Sequence, residues 1–234
     1  MTTQDRPIDF HYWPTPNGWK VAIMLEELGA PYAARFVDIG KGAQFAPDFL
    51  AISPNNRMPA IVDPEGPDGA PISVFESGAI LLYLARKFRR FMPEDERARV
   101  TCEEWLMWQM GGLGPMCGQL HHFRLYAPEP VPYAIGRYDA EARRLYGVLD
   151  RRLDGRDFIA GPYSIADMAS VPWIARHDRQ EIALADYPNV AAWYERVRAR
   201  AGVERGFALG SDGAARSNFA TDDEARRHLF GGKS

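Results

Sequence analysis

The turn Thr15-Pro16-Asn17-Gly18 carries polar side chains at a position where a protein can do chemistry. It lies between an apolar, strand-like run at residues 8–12 and a helix-like run that begins near Trp19. The start of a helix presents free N–H groups and the positive end of its dipole, which favour an anion such as a thiolate. A threonine hydroxyl and an asparagine amide placed there could each donate a further hydrogen bond. Asn-Gly is also typical of an ordinary turn, and taken alone the turn is the stronger interpretation.

Met58-Pro59 and Glu76-Ser77 each allow both an ordinary structural interpretation and a functional one. Met58-Pro59 precedes a short apolar run, as a proline at a strand start often does. A cis peptide bond there would leave the Met58 backbone groups available to pair with a ligand's backbone. Glu76-Ser77 follows another such run, and serine is a preferred helix cap. The same hydroxyl could instead bind a ligand carboxylate, while Glu76 meets an ammonium group.

Composition and charge exclude several function classes. The chain has 234 residues, of which 46% are hydrophobic and 25% charged, as is usual for a globular protein. The net charge of −3 gives no strong field for nucleic acid or an anionic membrane. The longest apolar run is about seven residues, and a bilayer span needs about 20. Because the N-terminus lacks an apolar signal segment, we expect a cytoplasmic protein.

The cysteine and histidine pattern argues against a metal site or a protein dithiol. The two cysteines, Cys102 and Cys117, form no CxxC motif. The adjacent pair His121-His122 lacks the i, i+4 spacing that places two imidazoles on one helical face. We therefore expect no metal.

The first 90 residues alternate between strand and helix patterns in the order β-α-β-α-β-β-α, which predicts one α/β unit with a mixed sheet. The helix after the Thr15 turn has apolar residues at i, i+3, i+4 and i+7 and is stopped by Gly29. The predicted strands are residues 9–13 or part of them, 32–38, 60–63 and 72–75, and the predicted helices are 18–28, a weak one ending near 52, and 77–88.

After a boundary near residues 89–95 the strand signals stop, which predicts an all-helical second domain. GGLGPMCG at 111–118 is expected to interrupt a helix over 97–109, and Ser164 to Asp167 has the pattern of a capping box. Further helices are predicted at 132–153 and 189–200, and a polar tail, draped or frayed, after about Gly210. The predicted domains are thus 1–90 and 95–234.

Several stretches resemble the cytosolic glutathione transferases, over roughly residues 8–207. They are PTPNG at 14–18, GKGAQF at 40–45, ISPNNRMPAIVD at 52–63, FESGAILLYLA at 75–85 and WQMGGLGPMCGQLHHF at 108–123. These look like the nu class, whose members are bacterial relatives of a yeast prion-forming nitrogen regulator. The resemblance implies an α/β thioredoxin-like N-terminal domain that binds glutathione, followed by an all-α C-terminal domain.

The resemblance also implies a role for each motif residue. Thr15 and Asn17 would face the glutathione sulfur, and Met58, before a cis Pro59, would pair its backbone with the cysteinyl part. Glu76 and Ser77 would hold the γ-glutamyl end. The remaining expected glutathione-binding residues are Gln44 near the glycyl carboxylate, Asn56 in the same region, and Arg137 across the cleft.

Nu-class proteins are known for glutathione-dependent disulfide reduction with modest conjugating activity, so we expect a glutathione-dependent disulfide-bond reductase. Its cosubstrate would be one or two glutathione molecules or the oxidised form, and its partners a small disulfide or electrophile, without a metal, nucleic acid or membrane. A homodimer is the family expectation. Two alternatives stay open at this stage: a conjugating transferase for an electrophile, and a non-catalytic glutathione-binding regulatory module.

Overall fold

The structure is a computed structural model, and it describes residues 4–211 and 222–231. The chain forms two compact units. The first comprises Met1–Phe88 together with Gly202–Ser234, and the second comprises Arg89–Ala201. Within the described ranges, no helix combines the length and apolar character that a membrane span requires.

A four-stranded mixed sheet forms the centre of the first unit. Its strands are β1 (Ile8–Tyr12), β2 (Tyr32–Phe36), β3 (Ala60–Asp63) and β4 (Ile72–Phe75), in the order β2-β1-β3-β4. β1 runs parallel to β2, whereas β3 is antiparallel to both β1 and β4. This arrangement confirms the predicted thioredoxin-like mixed sheet.

Three helices accompany the sheet: α1 (Pro16–Leu28), α2 (Pro47–Ile52) and α3 (Ser77–Phe88). The apolar stripe of α1 is buried at Val21, Met24 and Leu25, and α1 packs against α3. Gly29 ends α1 in the left-handed region at φ 67°, which glycine adopts without a steric penalty. α1 begins two residues earlier than predicted, because Pro16 suits the first helical position.

The second unit is helical, as predicted. Its helices are α4 (Glu96–Trp108), α5 (Gly114–His121), α6 (Pro132–Leu153), α7 (Ile165–Ile174) and α8 (Pro188–Arg198). The expected interruption at GGLGPMCG is wrong, because the chain stays helical there through a π-helical turn at Gln109–Leu113. Gly114 instead allows close packing, since a Cβ on it would lie 2.6 Å from Gln109 Nε2. The Ser164–Asp167 capping box is confirmed.

The chain beyond Gly202 differs from the predicted domain division, because it groups with the first unit rather than with the helical domain. It contains α9 (Ala201–Ala208) and α10 (Asp223–Phe230). A Cβ on Gly206 would lie 2.7 Å from the Ile23 backbone nitrogen, so glycine permits the contact between α9 and α1. α10 packs against the turn Ile39–Lys41. The predicted draped or frayed tail is therefore helical at α10, and residues 212–221 lie outside the described ranges.

Candidate functional site

Thr15 begins α1 as its N-cap residue, and its hydroxyl has a further contact. Its Oγ1 accepts a hydrogen bond from Gly18 N at 3.3 Å and lies 3.7 Å from Met58 Sδ. A thioether sulfur is a weak acceptor, so a ligand anion can compete for the hydroxyl proton. Asn17 is half-buried two residues further along the same turn. The structure thus brings the Thr15 turn to Met58, a residue 43 positions away in the chain.

The peptide bond Met58–Pro59 is cis, as predicted. The ladder between β3 and β4 begins with the pair Ala60 and Phe75, so the Met58 backbone groups precede it. This register also places Pro59 at the end of the sheet where Glu76 follows β4. The Met58 and Glu76 segments, separate in sequence, are therefore neighbours.

Glu76 and Ser77 lie at the start of α3 with contrasting exposure. Glu76 is exposed and adopts φ +69°, a region sparsely populated by non-glycine residues and often found at ligand sites. Asn55 Nδ2 donates to its Oε1 at 3.5 Å. Ser77 is buried, with its Oγ accepting a hydrogen bond from Lys20 Nζ at 3.4 Å.

Lys20 is a residue of this region that sequence reasoning missed. It is 1% exposed on α1, and burial lowers its pKa to about 7, against the opposing charge of Glu76. In its contact with Ser77, Lys20 is the donor and the hydroxyl oxygen is the acceptor. The available signal was its position three residues after Asn17, one helical turn along the same side of α1.

Gln44 and Asn56 line one cavity of about 590 Å³ in the first unit. Its walls come from three segments: Gln44 and Phe45, Asn56 and Arg57, and Arg227 to Gly231 at the end of α10. Gln44 is 5% exposed, and its Oε1 has no hydrogen-bond partner among the described residues. The two residues expected at the glycyl end therefore share a cavity, and α10 was not foreseen there.

Arg137 lies on α6 in the helical unit. Its side chain is 59% exposed, and its guanidinium lies 4.0 Å from the carboxylate of Glu141, one turn along the helix. Its expected role toward glutathione stays a prediction.

The protein's own thiols and Tyr12 are poorly placed for nucleophilic chemistry. Cys102 and Cys117 are both buried, unpaired and in the helical unit. Burial raises the pKa of both thiols, that of Cys117 to about 12, and only a thiolate attacks a disulfide. Tyr12 is buried, donates to Leu209 O at 3.2 Å and has a pKa raised by burial. Within residues 4–211 and 222–231, no group of three His, Cys, Asp or Glu residues could hold a metal ion.

Comparisons with known proteins identify the family of the chain. Residues 8–86 match the glutathione S-transferase N-terminal domain, and residues 135–201 match the C-terminal domain. The chain is 53% identical over 195 residues to disulfide-bond oxidoreductase YfcG of Escherichia coli, covering 82% of this chain and 91% of YfcG. It is 42% identical to disulfide-bond oxidoreductase YghU of the same organism over 214 residues, covering 86% and 74% of the two chains.

Two solved structures share the fold at substantial identity. A glutathione transferase from Burkholderia graminis, with two glutathione molecules bound per subunit, superposes with a TM-score of 0.84 at 43% identity and covers 88% of this chain and 90% of its own. One from Pseudomonas putida, with one glutathione disulfide per subunit, gives 0.85 at 40% identity, covering 89% and 94%. The chain belongs to the glutathione S-transferase family. Its similarity to the disulfide-bond oxidoreductases YfcG and YghU places it with the nu-like members.

Proposed function

We propose that the protein is a glutathione-dependent disulfide-bond oxidoreductase whose nucleophile is the sulfur of bound glutathione. The observation that carries the proposal is the start of α1, where the Thr15 hydroxyl and the Asn17 amide lie at the positive end of the helix dipole and no cysteine is present. Hydrogen bonds and a helix dipole both favour a thiolate and lower the pKa of the thiol that forms it. The names of YfcG and YghU, and the neighbours that hold two glutathiones or glutathione disulfide, support the same reaction.

The reaction proceeds in two exchanges that balance without a protein thiol. The thiolate of one glutathione attacks a disulfide RSSR, forms a mixed disulfide with one R group and releases RS⁻. The thiolate of a second glutathione attacks the glutathionyl sulfur of the mixed disulfide and releases the second RS⁻. The two protons lost by the glutathione thiols end on the two RS⁻ groups, so two glutathiones and RSSR give glutathione disulfide and two RSH. The same thiolate can add to an electrophile, so we expect weak conjugating activity as well.

Different site residues bind different parts of the glutathione molecule. Met58 pairs its backbone with the cysteinyl part, next to Thr15. Glu76 meets the γ-glutamyl ammonium and Ser77 the γ-glutamyl carboxylate. The other proposed contacts are Gln44 and Asn56 at the glycyl end and Arg137 across the cleft. A small disulfide as partner, a homodimer and a cytoplasmic location complete the proposal.

The test is glutathione-dependent reduction of hydroxyethyl disulfide, followed as NADPH consumption through glutathione reductase. We expect turnover in the parent and in a Cys102→Ala/Cys117→Ala variant confirmed to be folded by circular dichroism. Asn17→Ala should lower kcat/KM about tenfold, the usual scale of one hydrogen bond to a charged group. Absence of turnover in the parent would contradict the proposal. So would a result in which the folded Cys102→Ala/Cys117→Ala variant loses turnover while Asn17→Ala keeps it.

A further inference from the structure

The cavity between the Gln44 loop and α10 has the composition of an anion site. The residues that line it include two guanidinium groups (Arg57 and Arg227), one imidazole (His228) and the amides of Gln44 and Asn56. None of the lining residues carries a carboxylate. α10 is capped by Asp222, whose Oδ1 accepts from Glu224 N and Ala225 N at 3.0 Å each, and it packs against the turn Ile39–Lys41.

The cavity lining holds no carboxylate that could neutralise its cationic groups. Arg57 and Arg227 form no ion pair with any carboxylate of the described chain. His228 lies 3.9 Å from Glu224, whose side chain is 75% exposed outside the cavity. A bound anion therefore does not have to displace a buried counter-ion before it meets the two arginines.

Gln44 specifies the ligand further. Its buried Oε1 lacks a donor, and buried polar atoms in folded proteins nearly always have a partner. A simple anion such as phosphate at neutral pH offers mainly acceptors. The C-terminal residue of a peptide offers both groups that the cavity needs, because its amide N–H can donate to Gln44 while its carboxylate accepts from arginine and histidine.

We propose that α10 completes the glycyl end of the glutathione site, with Arg227 and His228 binding the terminal carboxylate and Gln44 Oε1 accepting the glycyl N–H. This inference rests on the proposed function. The order of the segments fits, since Ser77, Met58 and Asn56 are reached in the order of the γ-glutamyl, cysteinyl and glycyl parts. Asn56 is two residues from Met58 in the chain. The match to the family's C-terminal domain ends at residue 201, so α10 is a contribution of this chain beyond the matched region.

The test compares glutathione with its glycyl monoethyl ester, which keeps the thiol and the γ-glutamyl end but removes the carboxylate charge. Calorimetry should show at least about tenfold weaker binding of the ester by the parent protein, because the ester loses the charge-assisted hydrogen bonds of the carboxylate. Arg227→Gln and His228→Gln should weaken glutathione binding five- to tenfold and leave ester binding unchanged. Arg226→Gln, on the same helix but outside the cavity lining, is the matched control and should bind both ligands as the parent does.

Each outcome separates the inference from the proposed function. Equal affinity of the parent for the two ligands overturns the inference, as does an equal loss for both ligands in Arg227→Gln, which would indicate a structural effect. In the turnover assay, Arg227→Gln should raise KM for glutathione with little change in kcat. Absence of turnover in a parent that discriminates the ester overturns the proposed function and leaves the carboxylate site supported.

Discussion

Two helices, one in each unit, begin at a hydroxyl residue with very different surroundings. At α7, Ser164 Oγ accepts from Ala166 N at 3.3 Å, and the Asp167 carboxylate accepts from Ser164 N at 3.0 Å. The other oxygen of Asp167 accepts from Ile159 N at 3.0 Å and Trp193 Nε1 at 2.8 Å. At α1, Thr15 also caps the helix, but it is half-buried and its hydroxyl proton faces only a thioether sulfur.

The difference is that the groups around the Ser164 cap all belong to the protein's own hydrogen-bond network, whereas the Thr15 hydroxyl proton faces only a weak acceptor, which fits its proposed role in ligand binding. At α7 both Ser164 and Asp167 are buried, and the carboxylate is occupied by protein donors. At α1 the Thr15 hydroxyl oxygen accepts from Gly18 N, and its proton points to the weak acceptor Met58 Sδ. A closed cap should therefore govern stability, and an open cap should govern the chemistry of the ligand.

The largest expected effect is on the closed cap. Asp167→Ala should lower the free energy of unfolding by about 3–5 kcal/mol, because three buried N–H donors lose their acceptor at about 1–3 kcal/mol each. Urea unfolding followed by tryptophan fluorescence measures this change. Ser164→Ala is the milder control, with an expected loss of about 1 kcal/mol. A loss of less than 1 kcal/mol in Asp167→Ala would mean that the two caps do not differ as described.

The open cap should show the reverse pattern. Thr15→Ala should lower kcat/KM for disulfide reduction about 100-fold, the scale of losing one donor to a reacting anion, and unfolding stability by only about 1 kcal/mol. The apparent pKa of bound glutathione in the pH–rate profile should rise toward the value of a free thiol, about 8.5. Thr15→Ser keeps the hydroxyl and should retain most of the activity. An unchanged pH–rate profile in Thr15→Ala would assign Thr15 to helix stability alone.

Two buried carboxylates, one in each unit, have pKa values shifted in opposite directions. Burial raises the pKa of Asp167 to about 6, because its donors are neutral. Burial also opposes ionisation of Asp63, but hydrogen bonds from Lys87, Tyr83, Glu65 N and Gln4 outweigh it and lower its pKa. A cationic partner, Lys87 at 2.5 Å, accompanies Asp63, and this charge makes the difference between the two sites.

The smallest expected effect is this difference in pH dependence. The contribution of Asp167 is fully present below the unfolded pKa, about 3.9, and is lost as the pH rises through about 6. From pH 7 to pH 5, the parent should therefore gain about 1 kcal/mol of stability relative to Asp167→Asn. The contribution of Asp63 is present above about 3.9 and is lost only as the pH falls below that value. Urea unfolding should thus show no change between pH 7 and pH 5 relative to Asp63→Asn, and equal slopes for the two variants would contradict the assignment.

Much of the fold was predictable because its signals are local. The bounds of β3, β4, α3 and α6 agree with the predicted ranges, since proline, glycine and the hydrophobic period mark their ends within a few residues. The π-helical turn at Gln109–Leu113 was not predicted, because glycines there serve close packing and not a break. The position of α9 beside α1 was missed for the same reason. Gly206 permits close packing against Ile23, which is far away in the chain.

The sequence by itself determined which residues are candidates for the chemistry: a hydroxyl and an amide at the start of α1, a proline before β3, and Glu76-Ser77 before α3. The tertiary structure decided what each of them meets. Thr15 meets Met58 across 43 positions, and Ser77 meets Lys20 across 57. Gln44 and Asn56 share a cavity with the end of α10. A hydroxyl or amide caps or binds according to the groups opposite it, and those groups come from chain segments that no local pattern specifies.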